Sequence, residues 1–328
     1  MLRRQAWQGM TMLGAAAIAW PSGTRAQSGG SAPKLGIIYP GPKQAFAPRL
    51  DAIVTGLRVG GFSRQQLDLV VRTTEGDPTQ VQPMVADVVA QRVAAIIAIG
   101  RPTLQAAYAA TRTIPIISYN LETDPLAEGY ANSLASPGGN VTGIFFDFPN
   151  FAAKLIELLI EVTGKLSRVA VFWEPSTGPV QVESAKTAVQ AFQLDVDIFE
   201  TRTASDYGPA YAAAKQRGAD GAVLLSSPLV LPNARKLVDL ALEYRLPTIT
   251  TFPEYARTGG LLAYGPNLLT MYRQAGIFAA KAMRGVDVAN LPIERPTKFE
   301  LIVNQRKALA LGLSMQATLV LRADEVID

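Results

Sequence analysis

From residue 34 onward, short and almost wholly apolar runs alternate with longer stretches in which apolar residues recur every three or four positions. The runs at 34–39, 67–72, 94–99 and 114–118 lack the polar alternation of a half-solvated strand, so they predict parallel strands covered on both faces. Between them, 47–60, 79–92 and 102–111 are long and amphipathic enough to be crossover helices. Such βαβ repetition predicts an α/β fold built on a doubly wound parallel sheet.

The rhythm breaks at 140–149, which reads as a connecting stretch, and then restarts. Strands are expected at 168–173, 195–201, 221–226 and 247–251, with helices at 180–192, 205–217 and 232–244. Two α/β lobes of similar design follow. The remaining pieces are a strand at 261–264, a helix at 268–284, a strand at 297–303 and a helix at 305–311. Such leftover pieces suit a chain that crosses between two lobes more than once, making a hinge.

Residues 1–26 follow a different pattern. Arg3 and Arg4 precede an apolar run from Met10 to Trp20, and Thr24-Arg-Ala26 supplies a small-x-small box. That is an export leader with cleavage expected before Gln27, its apolar run being too short for a permanent membrane span. The paired arginines fit the general or the twin-arginine route. No cysteine follows the cleavage point to carry a lipid. The expected product is a free, monomeric periplasmic protein that begins with a Gln/Ser/Gly linker at 27–33.

Composition narrows the chemistry. Of 31 basic side chains, Arg3, Arg4 and Arg25 leave with the leader, so 28 face 27 acidic ones in the mature chain. No basic cluster marks a nucleic-acid surface. The chain has no cysteine and no histidine. Disulfide staples are thereby excluded, together with the commonest general base and nearly every zinc, copper or haem site. No metal or cofactor is expected. The phosphate loop, the Gly-x-Ser-x-Gly elbow and the calcium-loop acid ladder are also missing.

Four ordered strings carry a family resemblance: Ser136-Pro-Gly-Gly-Asn-Val-Thr-Gly143, Leu166-Ser-Arg-Val-Ala-Val-Phe-Trp173, Gly259-Gly-Leu-Leu-Ala-Tyr-Gly-Pro266 and Leu291-Pro-Ile-Glu-Arg-Pro-Thr-Lys-Phe-Glu-Leu-Ile-Val-Asn304. With the ending Arg322-Ala-Asp-Glu-Val-Ile-Asp328, they resemble the substrate-binding proteins of ABC transporters, in the subfamily whose better-known members bind tryptophan, tyrosine or phenylalanine. The resemblance implies a type I periplasmic-binding fold with three crossings, an N-lobe of 34–145 plus 264–290, and a C-lobe of 146–263 plus 291–328. It also implies a small-molecule ligand, a membrane permease as partner, and no enzymatic activity. A ligand-sensing module for a membrane receptor and a carboxylate-based hydrolase are the alternatives.

In open α/β sheets, ligands bind beyond the carboxyl ends of the strands. The loops there offer Tyr39, Thr74, Thr103, Tyr119 and Asp124 in the N-lobe, and Ser176, Thr177, Ser227 and Glu254 in the C-lobe. Thr103 opens a helix and could help hold a carboxylate. Asp124 and Glu254 could pair with an ammonium, while Ser176, Thr177, Ser227 and Thr74 could donate hydroxyls. Each polar residue has a plainer reading as a cap or turn former. Tyr39 and Tyr119 could stack a ring, whereas Trp173 and Phe252 read as core. Arg101 stands where the resemblance implies a small or apolar residue, and a cation there would favour an extra anionic group on the ligand.

Overall fold

The computed structural model describes residues 32–328, so the leader and most of the linker lie outside the described residues. The N-lobe opens with β1 (Lys34–Tyr39), α1 (Lys43–Val59), β2 (Asp68–Thr73), α2 (Val81–Ala90), β3 (Ala95–Ile99), α3 (Arg101–Ala110), β4 (Ile116–Asn120) and β5 (Val141–Phe145). Its five strands run parallel in the order β2-β1-β3-β4-β5.

The C-lobe repeats the design with α4 (Phe148–Thr163), β6 (Arg168–Trp173), α5 (Val180–Ala191), β7 (Asp195–Glu200), α6 (Tyr207–Gln216), β8 (Gly221–Leu224), α7 (Ala234–Glu243), β9 (Thr248–Thr250), α8 (Pro253–Arg257) and β10 (Leu262–Pro266). The chain then returns to the N-lobe as α9 (Leu268–Met283). It ends in the C-lobe with β11 (Phe299–Asn304), α10 (Gln305–Ala310), α11 (Ala317–Arg322) and β12 (Glu325–Ile327). The second sheet has the order β12-β11-β10-β9-β8-β6-β7, with β11 antiparallel to β10. Two doubly wound α/β lobes are therefore present. Buried strands such as Ala95-Ile-Ile-Ala-Ile99 explain the missing alternation, since helices cover both faces.

Three places depart from the expectations. Residues 141–145 are not part of a connector but form the edge strand of the N-lobe sheet, paired residue for residue with β4. The turn-rich Ser136-Pro-Gly-Gly-Asn140 beside this short run obscured it. α4, α8, α11 and the last strand, β12, were not expected either. Finally, the lobe boundaries shift. All of β10 pairs within the C-lobe sheet, so that crossing falls at Pro266–Asn267 rather than at 264. Residues 291–295 stay with the N-lobe, where Ile293 N–H donates to the Leu134 carbonyl and Glu294 N–H to that of Gly143. Three crossings result, near 146, 266 and 296.

Candidate functional site

The strand ends of the two lobes face each other across a narrow cleft, its free interior only about 50 Å³ in this shut form. Tyr39, Arg49, Tyr119, Glu122 and Tyr272 line it from the N-lobe, and Ser226, Ser227 and Phe252 from the C-lobe. Its charged lining residues are Arg49 and Glu122.

Glu122 reaches the cleft because Asn120, the last residue of β4, folds the following loop back. The Asn120 Oδ1 accepts the N–H groups of both Glu122 and Thr123 at 2.9 Å. The Glu122 side chain is then only 6% exposed. Its Oε1 accepts from the Ser226 hydroxyl of the opposite lobe at 2.7 Å, while Oε2 is buried without a partner. Burial holds this carboxyl above the ordinary carboxylate range, opposed by the Ser226 hydrogen bond and by the nearby backbone N–H groups of Leu121 and Arg101.

Ser226 is itself clamped. Gln181, fully buried on α5, receives the Ser226 N–H at 2.8 Å and returns its own amide N–H to the Ser226 carbonyl at 2.9 Å. The same amide donates to the Thr177 hydroxyl, which donates in turn to the Glu174 carbonyl.

Aromatic rings build the rest of the N-lobe wall. Tyr119 stacks on Tyr272 with ring centres 4.3 Å apart, and Tyr39 on Phe46 at 4.7 Å. The Arg49 guanidinium lies 5.7 Å from the Tyr39 ring centre and 5.9 Å from that of Tyr272, within cation–π reach of both. Arg49 is on α1 and Tyr272 on α9, helices that meet through two glycines. A Cβ on Gly56 would stand 1.9 Å from the Arg273 carbonyl oxygen, and one on Gly276 would stand 2.1 Å from that of Ile53. Only the missing side chains let the helices come this close. Behind the wall, Glu254 of α8 is held above the ordinary carboxylate range by burial, opposed by its own backbone N–H and by Arg49. Its Oε2 is buried without a partner.

Among the expected site residues, Tyr39, Tyr119 and Ser227 line the cleft. Thr74 and Ser176 line a small neighbouring gap between the lobes. The others do something else. Thr103 turns its hydroxyl back onto the carbonyls of Ile99 and Gly100, bracing the first turn of α3. Thr177 supports Gln181 from behind. Asp124 spends Oδ1 on the N–H groups of Leu126 and Ala127, the turn-forming role open to an Asp before Pro125. Glu254 lies behind the lining residues. Arg101 does not line the cleft but pairs with Glu128 at 2.8 Å. Phe252 is in the core as expected and also shows a face to the cleft, and Trp173 packs against the same core while its ring N–H donates to the Gly178 carbonyl. Arg49, Glu122, Ser226, Gln181 and Tyr272 were not singled out in the sequence. Glu122 could have been found, since it shares the 118–124 loop with Asp124. Arg49 and Tyr272 had no signal, because they lie within helices.

The chain matches the family model described as ABC transporter substrate binding protein over residues 37–327. It belongs to that family. A curated relative, the tyrosine-binding protein of Clostridioides difficile, is 26% identical over 244 residues, covering 74% of this chain and 70% of that one. Among solved structures, a conserved domain protein from Vibrio cholerae superposes with a TM-score of 0.83 at 20% identity, covering 90% of this chain and 99% of its own. An ABC domain from Streptococcus pneumoniae in complex with L-Trp gives 0.81 at 21% identity, covering 90% and 100%. The fold is accordingly the type I periplasmic-binding fold.

Proposed function

We propose that this chain captures a free amino acid with an aromatic side chain and delivers it to an ABC permease after export. The observation that carries this reading is the buried, unpartnered Oε2 of Glu122 in a cleft whose other charged lining residue is Arg49. A buried carboxylate oxygen demands a donor, and a ligand ammonium supplies one in a charge-assisted bond worth about 1.5–3 kcal/mol. Arg49 offers the complementary charge for a carboxylate, and the rings of Tyr39, Tyr119, Tyr272 and Phe252 favour a flat apolar side chain. The tyrosine and tryptophan in the relatives' names agree with that chemistry.

The ligand is gripped by closure. Bonds such as that of Ser226 to Glu122 span the lobes, so a ligand touching both favours the shut form by its extra contacts there. No step in this reading is catalytic. The test is a thermal-shift screen of refolded protein, free of carried-over ligand, against aromatic, aliphatic and acidic amino acids and sugars. A true ligand at about 100 times Kd adds about 2.7 kcal/mol of stability. The expected result is stabilisation by tryptophan, tyrosine or phenylalanine. A response to sugars or dicarboxylates alone would overturn the assignment.

A further inference from the structure

We infer that Arg101 is an affinity-setting latch. It holds the lobes shut without touching the ligand and strengthens binding of every ligand by a similar factor. The inference rests on the capture reading above only for the choice of probe ligands. Arg101 is the first residue of α3 in the N-lobe, and its Nε donates to Glu128 Oε1 of the same lobe at 2.8 Å, both side chains being less than one-fifth exposed. The Tyr130 hydroxyl donates to the other Glu128 oxygen at 3.3 Å. So fixed, the guanidinium reaches across the mouth of the cleft, and its Nη1 donates to the Ser176 carbonyl of the C-lobe at 3.3 Å.

The receiving turn is shaped for this contact. Gly178 has φ of +82°, and a Cβ there would stand 2.7 Å from Arg101 Nε and 3.0 Å from its Cδ. The turn is also stiff: the Trp173 ring N–H donates to the Gly178 carbonyl at 3.1 Å, and Glu174 Oε1 accepts the Ser176 N–H at 3.2 Å. A rigid donor thus meets a rigid acceptor across two lobes. Arg101 is not among the residues lining the ligand space. The bond made at the rim exists only in the shut form, so it shifts the open–shut equilibrium whichever ligand is inside.

The missing cysteines allow a direct test, because cysteines introduced at the exposed positions Ala86 and Lys215, one on each lobe, are the only thiols to label. In the labelled full chain, Arg101→Ala is expected to lower the ligand-free shut fraction seen by single-molecule energy transfer. Kd for L-tryptophan and for L-tyrosine should rise by the same factor, about five- to thirty-fold, carried by faster release. Arg101→Lys keeps the charge but cannot span Glu128 and Ser176 together, so it should shift in the same direction. It also decides the matter if the alanine variant does not fold. If neither amino acid binds the parent protein, the proposed ligand class fails while the ligand-free shut fraction still reads the latch. An unchanged shut fraction with unchanged Kd, or a Kd raised for one ligand and not the other, overturns the inference.

Discussion

The Ser226 hydroxyl donates to Oε1 of Glu122 at 2.7 Å, although the two residues sit at strand ends of different lobes, 104 positions apart. Half of one buried carboxylate is thereby engaged by the opposite wall, and the other half is left for a donor between the walls. In the proposed capture, ligand recognition and lobe closure meet in this single side chain.

Glu122→Gln keeps the shape and removes the charge. Affinity for an aromatic amino acid should fall about 10- to 150-fold, the worth of one charge-assisted hydrogen bond. The ligand-free melting temperature near neutral pH should hold or rise, because a costly buried carboxylate is gone. Asp124→Ala should do the reverse, losing about 1 kcal/mol of stability with its turn cap while Kd stays put. Calorimetric titrations paired with unliganded melts separate these patterns.

Stability and affinity should respond to pH in opposite directions. Burial raises Glu122 and Glu254, so around the ordinary carboxylate range the folded protein holds protons that the unfolded chain releases. Their stabilising contribution is complete below that range and is lost as pH rises through the folded values. Binding an ammonium needs Glu122 ionised, so affinity should weaken on acidification. Titrations and melts from about pH 4.5 to about pH 8 check both trends. In Glu122→Gln the affinity trend should flatten, and a parental slope there would remove Glu122 from the site.

Gln181→Leu tests the support behind Ser226. The variant leaves the Ser226 N–H and carbonyl without their buried amide, at about 1–3 kcal/mol for each unpaired group. Both stability and affinity should drop, and the fall in affinity should shrink sharply when Ser226→Ala is already present. A double-mutant cycle measures that coupling.

Gly276→Ala should cost about 1–3 kcal/mol through overpacking, since its Cβ meets the Ile53 carbonyl 2.1 Å away. Pushing α9 from α1 also separates Tyr272 from Arg49, so ring-bearing ligands should bind more weakly. An unfolding midpoint equal to the parent's would show that the helices can part freely.

The pattern of apolar runs determined the two-lobed α/β plan, because strands buried on both faces must be apolar throughout and crossover helices must be amphipathic. The positions of β1, β3 and β6 were legible for that reason, and the sheet architecture then pointed to strand-end loops, which offered Tyr39, Tyr119 and Ser227, three residues that line the cleft. Sequence could not rank Asp124 over Glu122. Both are acidic residues in one loop, and the choice fell to Asn120, whose side chain turns Glu122 inward while Asp124 caps the next turn. Nor could it bring Arg49 of α1 beside Tyr272 of α9, more than 200 positions away, since that contact depends on two glycines meeting in a helix interface. Local pattern is set by which faces of each element are covered, and a chain reports that directly. The cleft is made of pairwise contacts between distant segments, and only packing decides which side chains those contacts leave facing one another.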